Sequence, residues 1–595
     1  MKKLAAVILA LVMAVSPFVF SGCHKEVFLP LPPIESGESG GETGGETGGE
    51  TGGETGGEAG GETGGETGGE TGGETGGETG GETGGESGGE TGGESGGESG
   101  GETDEIYSGT DGVNILLSEK GYGSAWLYAL REEFESLYPG IDVRIRLTSD
   151  DQEVIDELNS IGNSPYDLFF TCFDLNEYVG RSLAGEPLLA ELSDVYENFA
   201  AQGESEKIID KLEPDFIDVF RRQANGDDVY YAMPWTQSVN GIVYNATYTK
   251  NILGPVQFPR TTDELFDMAK ALTDAGHPCL VTSPNVTYYN MLYTTWWAQY
   301  EGMEQILNFY SGLAPDSGGE MVLSPEIALQ QGRLEALEAA EQILSGTDIL
   351  LYDWPDVQEY FVGIEGAMYP CGDWFYTETE EAFEKYSEMD IQFRRIPVIS
   401  ALGEKLGITD TELSLAVDYA DRILAGETAQ KPSISPASLT VDEVLDEVMK
   451  ARSVTQTFSY SHTAAANAQS RRLEHAKNFL RLMASDRGQE VFSRALNGTA
   501  ALPYGFDISK IDWYASTPSF AKDRLEITGS ADYLFPRFDL PLGKFLPEFS
   551  CLGAQATYAL LTKNPNDRMT AQDLFQYDYA YFDSMWPEWM HAAGF

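Results

Sequence analysis

From Glu38 to Glu102 a glutamate returns at every fourth position, in GGET, GGES and GGEA units. No apolar position exists on which such units could stack, and the backbone entropy of glycine is maximal, so this stretch cannot build a core. A period of four is also not the three-residue repeat of collagen. The segment is expected to be a tether of about 68 residues, with an r.m.s. reach of about 45 Å lengthened by repulsion between glutamates. Folding is thereby confined to the chain after residue 108, which is long enough for two lobes with sizeable cores.

Ahead of the tether, residues 1–22 read as an export signal: Lys2 and Lys3, an apolar run from Leu4 to Phe20, then small residues. The run ends in FSGC, and a small residue and Gly directly before Cys23 form a bacterial lipobox, in which the cysteine becomes the lipidated N-terminus. An ordinary signal peptide beside an incidental cysteine is the plainer alternative. No later stretch approaches a membrane span, so a mature protein that is anchored rather than spanning is expected.

The 595 residues carry a formal net charge of −59, and seventeen acidic groups lie in the repeat, so the folded part is itself strongly acidic. That charge argues against nucleic acid and against polyanionic ligands, since Arg221-Arg222, Arg394-Arg395 and Arg471-Arg472 are isolated pairs. Cys172, Cys279, Cys371 and Cys551 have no metal-ligand spacing. Buried free thiols, or one disulfide in an exported protein, both fit them.

Strand and helix patterns alternate from Val113 onward. Val113–Leu117 reads as a buried strand, and Leu127, Leu130, Phe134 and Leu137 share one face of a helix stopped by Pro139-Gly140. Ile141, Val143, Ile145 and Leu147 alternate as a strand. Ser149 with Gln152 is expected to open the next helix, and Tyr166–Phe173 is the continuous apolar run of a covered parallel strand. This order begins an open α/β sheet. Ligands bind beyond the carboxyl ends of such strands, here the SEKGYG loop and Cys172-Phe173-Asp174.

The stretch YYAMPWTQSVNGIVYN (Tyr230–Asn245) sets Trp235 among tyrosines and small polar groups. Pro234 disfavours a helix interior, and Ile242 and Tyr244 alternate with Val243 as an extended segment does. A segment of this kind can pass from one lobe to another with rings at the junction, where ligands commonly sit. A strand with a buried tryptophan is the plainer alternative. Farther on, Thr261/Glu264, Thr409/Glu412 and Thr440/Glu443 are capping-box pairs. The cluster Tyr288-Tyr289 to Trp296-Trp297 reads equally as core or as binding platform.

Catalytic motifs are missing. There is no GxSxG elbow and no HExxH, and His24, His277, His462, His475 and His591 never pair at ligand spacing. A surface-anchored glycoside hydrolase needs only two carboxylates at catalytic separation, which 96 acidic residues do not exclude. It stays open as an alternative, as does a non-transport glycan-binding surface protein.

Four landmarks in order then carry a family resemblance: FESLYPGIDV; PYDLFFTCFD with GEPLLAELSD; YAMPWTQSVNGIVYN with FPRTTDEL; and VGIEGAMYPCGDWF followed by HAKNFLRLMASDRGQEVF. From Gly112 to about Pro503 the chain resembles extracellular solute-binding proteins of ABC importers, in the carbohydrate-uptake group that includes maltodextrin-binding proteins. The resemblance implies an α/β protein of two lobes, each an open, mostly parallel sheet flanked by helices, joined by a hinge. It implies a first lobe over 109–238, a second over 239–398, a return to the first over 399–500 with a helical insertion, and second-lobe helices over 501–595. The implied ligand residues are Phe173, Asp174, Trp235, Gln237, Ser238, Tyr288, Tyr289, Asp373 and Trp374. For three of them another role stands beside this one: core for Phe173, a helix cap for Asp373, sheet-edge packing for Trp374. The implied function is capture of a mono- or oligosaccharide and delivery to an ABC permease, with no catalysis and no cofactor. The implied protein is a monomer, lipid-anchored on the extracellular face of the cell membrane.

Overall fold

The computed structural model describes residues 105–175, 178–183, 186–224, 226–282, 288, 290–351, 356–363, 366–546 and 568–595. The export signal, Cys23, the tether, Tyr289 and Cys551 lie outside the described residues. No described helix is long and apolar enough to cross a membrane.

Strand β1 (Gly112–Ser118) is buried along its whole length, as its run GVNILLS requires. Helix α1 (Ala125–Leu137) lays Trp126, Leu127, Leu130 and Phe134 on the core. Leu137, expected on that stripe, is 53% exposed because the helix ends there. Strand β2 (Asp142–Thr148) pairs in parallel with β1 from Gly112↔Asp142 to Ser118↔Thr148. The next helix, α2 (Asp151–Asn159), is capped by Asp150, which accepts from the Gln152 N–H, one residue later than the expected Ser149. Strand β3 (Leu168–Cys172) then completes a parallel trio with β1 at its centre.

After β3 the chain reaches β4 (Met233–Pro234), and residues 235–239 carry it to β5 (Asn240–Asn245), a strand of a different sheet. The second sheet adds β6 (Leu280–Thr282), β7 (Ile349–Leu351), β8 (Met368–Gly372) and β9 (Ile391–Arg394), in the order β7-β6-β8-β5-β9. Here β6 runs parallel to β7 and β8, whereas β5 is antiparallel to β8 and β9. Helix α3 (Asn290–Glu301) buries Trp296 and Trp297 completely in this lobe, with indole N–H groups donated to the Pro397 carbonyl and the Gln330 side chain. Those two rings are core, not platform.

Sequence reasoning returns the chain to the first lobe after residue 398, and the structure differs. Helices α4 (Asp410–Leu424) and α5 (Val441–Ser453) both open with full capping boxes, as expected. Their apolar stripes, Leu413, Val417 and Ala420 on one and Val444, Leu445 and Val448 on the other, pack into the second lobe's core. The return comes only after β10 (Val454–Gln456), through residues 457–461 to β11 (His462–Ala466). Strand β11 runs antiparallel between β3 and β4, giving the first sheet the order β2-β1-β3-β11-β4. The tail is also shared. Leu502 and Tyr504 join the first core, while Phe520 packs on Phe393 of the second sheet and Leu534, Leu542 and the final helix join the second core. Its elements are α6 (Ser519–Thr528), β12 (Asp532–Leu534), parallel to β10, and α7 (Ala571–Ala593).

Candidate functional site

The two crossings are fastened to each other. The Ser238 N–H donates to Ser459 Oγ at 2.9 Å, and the Ser238 hydroxyl lies 3.0 Å from Thr457 Oγ1 and accepts from the Phe458 N–H at 2.9 Å. All three hydroxyl residues are buried. Short polar side chains let two crossing backbones run side by side, here with the Ser238 and Phe458 N–H groups met by hydroxyls of the opposite crossing. Ser238, expected to touch ligand, is therefore a fastening of the hinge. Gln237 is half-buried on the same crossing. Its N–H donates to the Ala501 carbonyl, and its own carbonyl accepts from Arg524.

Trp235 also differs from expectation. It is 0% exposed, stacked on Trp126 at 4.7 Å between ring centres, and its indole N–H donates to the Thr171 carbonyl at 3.0 Å. Wholly buried and with its only donor engaged, it is a core ring. Phe173 is packed into the same core.

Of the remaining expected residues, Tyr288, Asp373 and Trp374 gather at the junction. Asp373 and Trp374 follow β8 directly, at the carboxyl end of a parallel strand. From the first lobe the loop after β1 meets them: the Tyr122 hydroxyl donates to Asp373 Oδ1 at 2.5 Å, and both residues are 1% exposed. Gly121 in that loop has φ +42°, and a Cβ there would stand 3.3 Å from Trp374 Cβ, so glycine is what permits this approach. Rings continue from Trp374 in both directions. Tyr288 lies 5.8 Å away on one side and Phe458 5.7 Å on the other, then Tyr460 at 6.1 Å from Phe458 and Phe538 at 5.7 Å from Tyr460. Trp374 and Tyr460 are 6% and 8% exposed, and the other three are half-buried. This line of five rings crosses from the second lobe to the first. It ends beside a narrow crevice, enclosing ≈ 310 Å³ of space that includes open solvent, lined by Asp174, Arg222, Tyr231, Tyr460 and Thr463. Asp174 is thus at a rim, and Tyr289 lies outside the described residues.

Charges at the junction are few and matched. Burial pushes the Asp373 carboxyl up, while the Arg524 guanidinium and the Tyr122 and Arg524 hydrogen bonds hold it back. Burial and the neighbouring carboxylate push the Tyr122 hydroxyl well above its usual value, so it stays a donor. Lys120 pairs with Asp151, which also accepts from the Ser118 hydroxyl at 2.6 Å. The buried Cys172 thiol donates to the Ser118 carbonyl at 3.3 Å, whereas Cys279 and Cys371 carry free thiols, with burial pushing Cys279 up to about 12 and Cys371 well above its usual value. Such thiols are structural rather than reactive.

His462 packs edge-on against Tyr122 at 5.4 Å and Trp235 at 5.1 Å. Its Nδ1–H donates to the Phe458 carbonyl at 3.0 Å. Burial lowers it to about 4, and the Lys120 charge acts in the same direction. In the unfolded chain this imidazole takes its proton near the ordinary value of about 6.5. Its contribution to stability is therefore full above that pH and lost as the pH falls towards 4. The stability advantage over His462→Gln should shrink by about 2 kcal/mol between pH 7 and pH 4.5 in paired urea unfolding curves. A constant difference would show that the ring is not held neutral.

Sequence reasoning points to the loop that carries Tyr122 but not to the residue. It misses Phe458, Tyr460, Arg524 and Phe538 entirely. An FxY pair before β11 is a weak signal for the first two of these, and nothing local marks Arg524, which reaches Asp373 across 151 positions.

Two α/β lobes, paired crossings and a ring-lined junction define a two-lobe binding protein of the periplasmic-binding-protein fold. The chain belongs to the family of bacterial extracellular solute-binding proteins, whose sequence profile matches residues 118–490; it is a family of binding proteins rather than of enzymes. Similar solved structures include a chitin oligosaccharide binding protein, with TM-score 0.51 and 15% identity over 80% of this chain and 99% of that one. Another is the apo form of RafE from Streptococcus pneumoniae, with TM-score 0.50 and 14% identity over 81% and 100%. A third is a probable secreted solute-binding lipoprotein from Streptomyces coelicolor, with TM-score 0.50 and 13% identity over 80% and 99%. At these identities the likeness speaks for the fold. No curated protein matches the chain in a sequence comparison.

Proposed function

We propose that this protein captures an uncharged carbohydrate, a mono- or oligosaccharide, between its lobes and hands it to the membrane permease of an ABC importer. The observation that carries this reading is the line of rings from Tyr288 through Trp374 to Phe538. Pyranose C–H faces fit aromatic planes, and a row of rings spaced by about one sugar unit suits a chain of them. Asp373, Tyr122 and the rim residue Asp174 offer acceptors and a donor for the hydroxyl edge, whose buried groups each cost about 1–3 kcal/mol if unmet. The ligand residues in this reading are Asp174, Tyr122, Tyr288, Asp373, Trp374, Phe458 and Tyr460. The lobes part about the Ser238–Thr457–Ser459 fastening to admit ligand and shut over it, as hinge proteins do. The family and the oligosaccharide bound by a structural neighbour support the same class of ligand. Cys23 would then be the lipidated N-terminus, residues 23–108 the tether, and the protein a monomer held on the extracellular face of the cell membrane.

A thermal-shift screen of neutral mono- and oligosaccharides, with amino acids and polyamines as controls, tests the reading. A sugar should raise the melting temperature and be recovered intact. Trp374→Ala should weaken binding of that sugar about tenfold in calorimetry, for the loss of one stacked ring at about 1.4 kcal/mol. No shift with any sugar, or release of cleaved product, would sink it.

A further inference from the structure

The site carboxylate takes its counter-charge from neither lobe's sheet. Asp373 Oδ2 accepts from Arg524 Nε at 2.6 Å, and the same guanidinium donates through Nη2 to the Gln237 carbonyl on the first crossing at 2.5 Å. Arg524 is 1% exposed and sits on α6, past the last residue that the family profile matches. That helix is clamped to the edge of the second sheet. Phe520 packs against Phe393 at 4.9 Å and Tyr376 at 5.6 Å, and Asp523 accepts the Phe393 N–H at 3.0 Å. Arg395 closes the other end by donating to the carbonyls of Glu526 and Ile527.

We propose that Arg524 is the positioning residue of the inter-lobe site: it supplies the counter-charge that lets Asp373 stand buried, and ties that carboxylate to the hinge. The C-terminal segment is then a working part of the binding machinery and not an appendage. A carboxylate removed from water keeps its charge only beside a cation and with its lone pairs met. A guanidinium can serve two acceptors in fixed directions, whereas an ammonium acts as a single point charge. Geometry assigns the two ends different tasks: Nε fixes one oxygen of Asp373, leaving the other for Tyr122, and Nη2 holds the crossing in register with it. The proposal refines the carbohydrate reading, because the oxygen now held by Tyr122 is the one a ligand hydroxyl would share on entering. A ligand anion would instead meet Asp373 directly, and one guanidinium cannot balance both.

The groups that face Asp373 are Arg524 and Tyr533 from the tail, Tyr122 from the first lobe, and Cys371 from its own strand. Arg524 is the only cation among these named groups. Without it the carboxyl takes up a proton in the folded protein more readily than in the unfolded chain. The stability of Arg524→Gln is then full at low pH and lost as pH rises through the folded value.

The test is a double-mutant cycle on the full chain without ligand, by urea unfolding of wild type, Arg524→Gln, Asp373→Asn and the double variant, at pH 7.5 and pH 5. The midpoint deficit of Arg524→Gln at pH 7.5 should be at least halved by adding Asp373→Asn, and in the single variant at least halved by moving to pH 5, whereas the double variant should show no such pH effect. Arg524→Lys should recover part of it. A deficit untouched by Asp373→Asn, by pH and by lysine would mean that Arg524 only fills space, and would overturn the proposal. Because no sugar enters the cycle, failure here leaves the carbohydrate reading standing. Equally, a wild type that binds no sugar leaves the result of the cycle for Arg524 intact.

Discussion

Replacing Trp235 by alanine should cost about 3–5 kcal/mol of stability, the range for removing a large buried aromatic side chain. The ring is wholly buried, stacked on Trp126 with an interplanar angle of 16°, and met edge-on by Phe170, Tyr122 and His462. Alanine leaves a cavity among these rings and also removes the indole donor to the Thr171 carbonyl. Neighbours held by their own strands and by α1 are poorly placed to collapse into the space. Trp235→Phe keeps an aromatic face but not the donor, so it should lose about half as much. Urea unfolding followed by circular dichroism should show a lowered midpoint at unchanged slope. A variant as stable as wild type would mean that this ring does not sit in the core.

That expectation departs from the ligand role that the family resemblance implies for Trp235 and agrees with the plainer reading of a strand with a buried tryptophan, and the reason is physical. A tryptophan after a proline on a crossing segment is recognisable as a junction residue, because the constraint that Pro234 places on the backbone is local. Which way the ring's plane turns depends on whether a distant carbonyl takes the N–H, here Thr171 across 64 positions. The legible parts are those set by neighbours in sequence. The continuous run of β1, the alternation of β2 and the capping boxes of α4 and α5 all rest on period or on contacts within a turn. The first crossing is legible for the same reason. Sequence places the second too early, because the stripes of α4 and α5 say that each helix is half-buried but not on which lobe. At the site, Asp373 and Trp374 are visible beside a strand end. Their partners Tyr122 and Arg524 are not, since the contacts to Asp373 span 251 and 151 positions and only the folded chain makes them.

Removing one partner of the Arg333–Asp578 pair should cost about 3–5 kcal/mol, because the survivor is left buried without its counter-charge. Arg333 and Asp578 are 2% and 4% exposed. The guanidinium pairs with the Asp578 carboxylate, donates to the Ala328 carbonyl at 2.6 Å and lies over the Phe309 ring at 5.3 Å. This contact joins the final helix, α7, to the body of the second lobe, where Leu574, Phe575, Phe582 and Trp589 supply its apolar seat. Attraction within such a pair roughly offsets the desolvation of its two members, so the apolar seat and not the ion pair holds the helix down. Arg333→Met and Asp578→Leu should therefore each destabilise strongly, while the double variant should regain most of the loss in the same urea titration. If the two losses simply add, the charges are not coupled. If each single change costs under about 1 kcal/mol, the pair is exposed to water like an ordinary surface bridge. The expected pattern instead makes the tail an integral part of the second lobe, held by burial at α7 and reaching the inter-lobe site through Arg524 on α6.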